Sequence, residues 1–112
     1  MLVKDLEKRT AVIPLVGHVF EADFGAMTFH LHFETDNTMV LTQVRGPQVG
    51  MKQTVNIKKV EIRPNVYFVY WQEADKITVT DLQDYENQVV YANITTPKNE
   101  FLNLKGTLKP VK

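Results

Sequence analysis

The stretch Val66-Tyr-Phe-Val-Tyr-Trp-Gln-Glu73 decides the fold. Its first six residues are β-branched or aromatic, the side chains that fit a pleated surface best. Successive side chains of a strand point to opposite faces, so Tyr67, Val69, Trp71 and Glu73 line one side. Val66, Phe68, Tyr70 and Gln72 line the other. An apolar, aromatic face that also carries an acid fits the wall of a ligand cavity. It equally fits a strand end that leans into water.

The same signal recurs outward from this stretch in both directions. Leu15 to Asp23 reads as a first strand, with Phe24-Gly25 as its turn. Ala26 to Glu34 alternates, Met27, Phe29, Leu31 and Phe33 against Thr28, His30, His32 and Glu34. Asp36-Asn37 makes a tight turn into Thr38 to Arg45. Gly46-Pro-Gln-Val-Gly50 is a wider loop, because Pro and Gly interrupt a ladder. Thr54 to Arg63 follows as one strand, then Pro64-Asn65, then the Val66–Glu73 strand with Ala74-Asp75-Lys76 as its exit. Ile77 to Leu82, Gln88 to Thr95 and Glu100 to Leu108 complete the series, separated by Asp84-Tyr-Glu-Asn87 and Thr96-Pro-Lys-Asn99. The spacing predicts an all-β chain, an antiparallel up-and-down barrel of about eight strands. Closure of last strand on first leaves no open edge. Residues 1–112 form a single domain, with residues 1–10 as a short N-terminal arm or helix.

Composition removes several classes of function. A chain of 112 residues is one domain, able to bury about two-thirds of its unfolded surface. Thirteen basic and thirteen acidic residues cancel, and no basic run exceeds Lys58-Lys59. That balance argues against nucleic acid as a partner. Without cysteine there are no disulfides, thiolate zinc sites or cysteine nucleophiles. The start, Met-Leu-Val-Lys-Asp-Leu-Glu-Lys-Arg, is neither a signal peptide nor a membrane span, so a cytoplasmic location away from membranes is expected. No phosphate loop, Ser-His-Asp order or internal repeat is visible, and no cofactor is expected.

From about Val19 to Gly106 the chain resembles the calycin (lipocalin-like) barrels, and among them MoaF-type proteins and, more distantly, the bacterial phenolic acid decarboxylases. The resemblance rests on Asp23-Phe-Gly25 followed by Asp36-Asn-Thr38, and on Val55-Asn-Ile57 leading into Val66–Glu73. It rests also on Val79-Thr-Asp-Leu-Gln-Asp-Tyr-Glu-Asn87 with Val89-Val-Tyr91. The decarboxylase resemblance implies a tyrosine pair on the first strand, an arginine on the third and a glutamate closing the fifth. Here the tyrosine positions fall on Phe20 and Ala22, the arginine position on or near Thr42, and only Glu73 matches. Carboxylate binding and protonation of an intermediate need donors and an acid–base group in register, so that chemistry is not expected to survive.

The residues left suggest a small-molecule binding barrel. Its apolar pocket would be lined by Phe20, Thr42, Tyr67, Val69 and Trp71, with Glu73 as the main polar group. The partner would be a small hydrophobic or aromatic molecule. The alternative is a lyase or isomerase using Glu73, the one catalytic candidate, as general acid–base. His18, His30 and His32 are a weaker alternative as metal ligands, since His-x-His on a strand can hold zinc with a third donor. Arg45 reads as a strand-end arginine rather than an anion hook, and Asp81, Asp84 and Glu86 as a solvated acidic turn. Asn93-Ile-Thr95 is a chance glycosylation sequon in a cytoplasmic chain. Finally, the 66–73 and 88–95 strands are apolar on both faces, and a barrel interior hides one face only. A homodimer with Phe68 or Tyr70 near its centre is expected.

Overall fold

The computed structural model of the chain describes residues 14–111, and the N-terminal arm expected at residues 1–10 lies outside them. Nine strands, and no helix among the described residues, form one antiparallel sheet that curls into a nearly closed barrel. In chain order they are β1 (Val19–Asp23), β2 (Thr28–Phe33), β3 (Thr38–Arg45), β4 (Lys52–Asn56) and β5 (Lys58–Arg63). β6 (Val66–Gln72), β7 (Thr78–Asp84), β8 (Val89–Thr95) and β9 (Phe101–Pro110) follow. The order β4-β3-β2-β1-β9-β8-β7-β6-β5 makes every neighbour a hairpin partner except at β1–β9, where the two ends of the meander meet.

The strand expected over residues 54–63 is two strands. Ile57 leaves the ladder, its side chain buried and its N–H donating to the Asn37 carbonyl at 2.8 Å. The chain bends there, so β4 stays with β3 while β5 turns to pair with β6. That bend is the gap in the barrel, bridged by packing between β4 and β6 and by the Gln53–Glu73 hydrogen bond.

Alternation sets the interior. Phe20 and Ala22 of β1, Leu31 and Phe33 of β2, Met39 and Leu41 of β3, and Tyr67, Val69 and Trp71 of β6 are all buried. Each fully buried side chain of the Val69 or Leu108 kind contributes about 1.5–3 kcal/mol of hydrophobic stabilisation. One end of the barrel is plugged by rings. Phe20 meets Tyr85 edge-on at 4.7 Å and Phe33 at 6.1 Å, and Tyr67 stands 6.1 Å from Tyr85. The Lys59 ammonium lies 5.9 Å from the Phe33 ring and 5.8 Å from the Tyr67 ring, adding cation–π contacts.

Two three-residue hairpin loops shape the opposite end. In each, a residue in the left-handed region, Lys76 (φ 76°) or Asn99 (φ 65°), closes the turn. Glu73 and Thr96 then pair with Ile77 and Glu100 through the backbone, the geometry of a type I turn with a bulge. These loops bring Glu73 and Glu100 to the same rim.

Candidate functional site

The open end leads into a funnel. Its mouth, of about 400 Å³, is lined by Met27, Gln43, Met51, Ile77, Glu100 and Leu102 among others. It continues into an inner cavity of about 50 Å³ whose walls include Ala22, Leu31, Trp71, Asp81 and Ala92. Phe29, Leu41, Glu73, Val79 and Ile94 line both spaces. The inner space exists because Ala22 and Ala92, on β1 and β8, are short where their neighbours are long.

Glu73 stands between mouth and cavity with both carboxyl oxygens engaged. Trp71 Nε1 donates to Oε2 at 3.2 Å, and Gln53 Nε2 donates to Oε1 at 3.1 Å. Burial pushes the Glu73 carboxyl above its usual range, and the bonds from Trp71 and Gln53 offset part of that rise.

Asp81 is the group that sequence reasoning missed. It lies mid-strand on β7, opposite Val69 on β6 and Ala92 on β8, and is 4 % exposed. Its Oδ2 accepts from Gln83 Nε2 at 2.9 Å, and Gln83 Oε1 accepts from the Tyr85 hydroxyl at 2.7 Å. Its Oδ1 has no hydrogen-bond partner among the described residues. Burial pushes this carboxyl up to about 7, against the lowering effect of the Gln83 bond. The reading of Asp81 as part of a solvated turn is therefore corrected. β7 extends to Asp84, so Val79, Asp81 and Gln83 point inward while Leu82 is 38 % exposed. The signal lay in the parity of Ile77, Val79 and Asp81, which share a face whatever the strand's end.

Of the six residues expected to line a pocket, the funnel brings together Trp71 and Glu73. Phe20, Tyr67 and Val69 also point inward, but Phe20 and Tyr67 belong to the ring plug and Val69 is wholly buried in packed core. Thr42 does not face the interior. Its neighbours Leu41 and Gln43 do, and β3 alternation leaves Thr42 on the outer face beside His30. The histidines do not converge. His30 and His32 share that outer face, with His30 Nε2 3.2 Å from Glu21 Oε1, and the described residues contain no group of three His, Asp or Glu placed to hold a metal. Arg45 pairs with Asp23 at 3.0 Å on the surface, where solvent and salt screen the attraction.

Fold and site thus define an antiparallel barrel, plugged by aromatics at one end and open at the other into an acid-lined interior. The chain belongs to the MoaF-like family, whose sequence pattern matches residues 16–109. A solved structure from Burkholderia vietnamiensis that carries the provisional name of a beta-lactamase shares the architecture. Its TM-score is 0.84 at 26 % identity, covering 91 % of this chain and 100 % of that one. No curated protein matches the chain. No helix among the described residues is long and apolar enough to cross a membrane.

Proposed function

We propose that the protein binds a small, largely apolar molecule inside the barrel. The observation that carries this reading is the funnel, an apolar space reaching from solvent to a buried carboxyl with an unsatisfied oxygen. Natural cores rarely leave such an atom unpaired without a reason, and ligand sites combine apolar walls with a few placed polar groups. Trp71 lines the cavity and is the only tryptophan, so its emission reports occupancy. Titration with apolar and aromatic compounds of differing charge is expected to shift that emission saturably. Ala92→Val, which adds two methyl groups to the cavity wall, is expected to weaken binding at least tenfold while the fold stays intact. An emission unmoved by every compound at millimolar concentration would remove the reading's support.

Acid–base catalysis is a second reading, favoured by two carboxyls raised above their usual range against one cavity. Turnover of coumaric or ferulic acid that Glu73→Gln abolishes would favour it over simple binding. The serine route to lactam hydrolysis, which the name of the Burkholderia neighbour brings to mind, is not open to this chain. The chain contains no serine and no cysteine, so it lacks the serine nucleophile that acyl-enzyme lactamases use.

A second copy of this chain is the partner we propose for the outer face. Val60, Phe68, Leu82 and Tyr91 are cross-strand neighbours on β5 to β8, and each is between 38 % and 47 % exposed. Tyr70 extends the row, its ring 5.5 Å from that of Phe68. The row runs out to β5, an edge strand of the sheet, where a two-fold copy can lie against it with one patch serving both partners. Phe68→Glu is expected to halve the mass seen at sedimentation equilibrium. A wild-type protein already monomeric at micromolar concentration would contradict the dimer.

A further inference from the structure

We infer that the ligand is an amine, with a protonated nitrogen set against Asp81 and an apolar or aromatic body filling the mouth. This inference rests on the binding reading above and adds the chemical class. Three carboxyl groups line the path at successive depths, Glu100 at the mouth, Glu73 where mouth and cavity join, and Asp81 in the inner cavity. No lysine or arginine lines either space among the described residues. Trp71 and Gln53 already donate to Glu73 and Gln83 to Asp81, and the other side-chain amides, Gln43 and Gln48, stand out at the mouth. A carboxylate ligand would add negative charge between apolar walls with no cation to meet it, which costs more there than in water. A cation finds the reverse, a buried and unpaired acceptor in Asp81 Oδ1 and a field that draws it inward.

The dimensions narrow the class further. An apolar cavity of about 150 Å³ takes up benzene, so an inner cavity of about 50 Å³ admits an ammonium and a short chain but no ring. The ring or alkyl body stays in the wider mouth, of about 400 Å³, against Phe29, Leu41 and Ile94. A two-carbon chain between nitrogen and ring fits this division.

Charge pairing also ties binding to pH. The elements beside Asp81 present apolar neighbours to it, Val69 on β6 and Ala92 on β8. The other titratable groups facing it are Glu73 in the cavity and Tyr85 beyond Gln83. Asp81 holds its proton up to about pH 7 when the cavity is empty, and an entering ammonium displaces that proton to the buffer. Affinity for the amine therefore rises roughly tenfold from pH 6 to pH 8, as Asp81 becomes ionised without a ligand's help.

The test compares three molecules of one shape, 2-phenylethylamine, 2-phenylethanol and 3-phenylpropanoate, titrated against Trp71 emission and by calorimetry at pH 6 and pH 8. The amine is expected to bind at least tenfold tighter than either other compound at pH 8, and to release protons at pH 6. Asp81→Asn is expected to remove both the preference and the pH dependence while remaining folded. Equal or tighter binding of the alcohol or the acid overturns the amine inference and leaves the binding reading standing. A preference that survives Asp81→Asn also overturns it, and failure of all three compounds to bind overturns both.

Discussion

Asp81→Asn is expected to make the protein more stable at pH 8 and to change it little at pH 4. The carboxyl of Asp81 rises from 3.8 to about 7 on folding, so between those values the folded chain holds a proton that the unfolded chain releases. Stability then falls with rising pH, by at most about 1.4 kcal/mol per unit, and the full loss is reached above the folded value. The sign is opposite to that of a salt-bridged aspartate. Asparagine keeps the shape and an acceptor for Gln83 but carries no charge to desolvate. The gain at pH 8 is expected to be on the order of 2–4 kcal/mol, a rise of roughly 10 °C or more in Tm for a domain of this size. Taking the difference between mutant and wild type across pH 4 to 8 cancels the other carboxyls. Parallel stability curves for the two proteins would show that Asp81 titrates as an ordinary aspartate.

The second large effect is expected at the seam that closes the barrel. β9 pairs with β8 through Thr107 and with β1 from Thr107 onward, so Gly106 sits where the strand passes from one partner to the other. A Cβ placed on Gly106 would lie 2.3 Å from the Asp23 carbonyl oxygen and 2.8 Å from the Phe24 ring. The carbonyl is backbone and cannot swing aside, so Gly106→Ala must push β1 and β9 apart. Overpacking of a fitted site typically costs 1–3 kcal/mol, and a backbone clash belongs at or above the top of that range. We expect a loss of about 3 kcal/mol or more, lowering Tm by roughly 12 °C or more. A variant within about 1 kcal/mol of wild type would mean that the seam is looser than described.

How much of this was legible in the sequence depends on which physical rule governed each residue. The Val66–Glu73 stretch gave the right inner and outer faces, because strand alternation is local and needs no partner. Its burial pattern has Tyr67, Val69 and Trp71 in and Phe68, Tyr70 and Gln72 out, while Val66, which shares the outer parity, is buried as well. The turns at Pro64-Asn65 and Thr96–Asn99 were legible for the same reason, since their residues tolerate the left-handed backbone that Asn65 and Asn99 adopt. The break at Ile57 was not. Nothing in Val55-Asn-Ile-Lys58 forbids a continuous strand, and the bend arises from a tertiary bond to Asn37.

Thr42 and Asp81 show the two ways in which a site residue was misplaced. Thr42 was assigned to the pocket by position in a family pattern, whereas the parity of Met39, Leu41 and Gln43 on its own strand turns it outward. Asp81 was assigned to solvent by its chemistry. An ionisable side chain is rarely buried, and sequence alone does not reveal that Ala22 and Ala92 leave room beside it. Glu73 was found because it ends the most strongly patterned strand of the chain. Its partner Gln53, twenty residues earlier, becomes visible only when β4 packs on β6.

The central claim is that the barrel interior, rather than the outer apolar row, receives a ligand. Alanine-methyl NMR tests this most directly, because Ala22 and Ala92 both line the inner cavity and are each 2 % exposed. On titration with 2-phenylethylamine at pH 8, the Ala22 and Ala92 methyl signals are expected to move together with the Trp71 indole N–H, saturating at one ligand per chain. Signals of Phe68 and Tyr91 on the outer face should stay in place. Ala22 and Ala92 signals that hold still while the outer-face signals move would contradict the account.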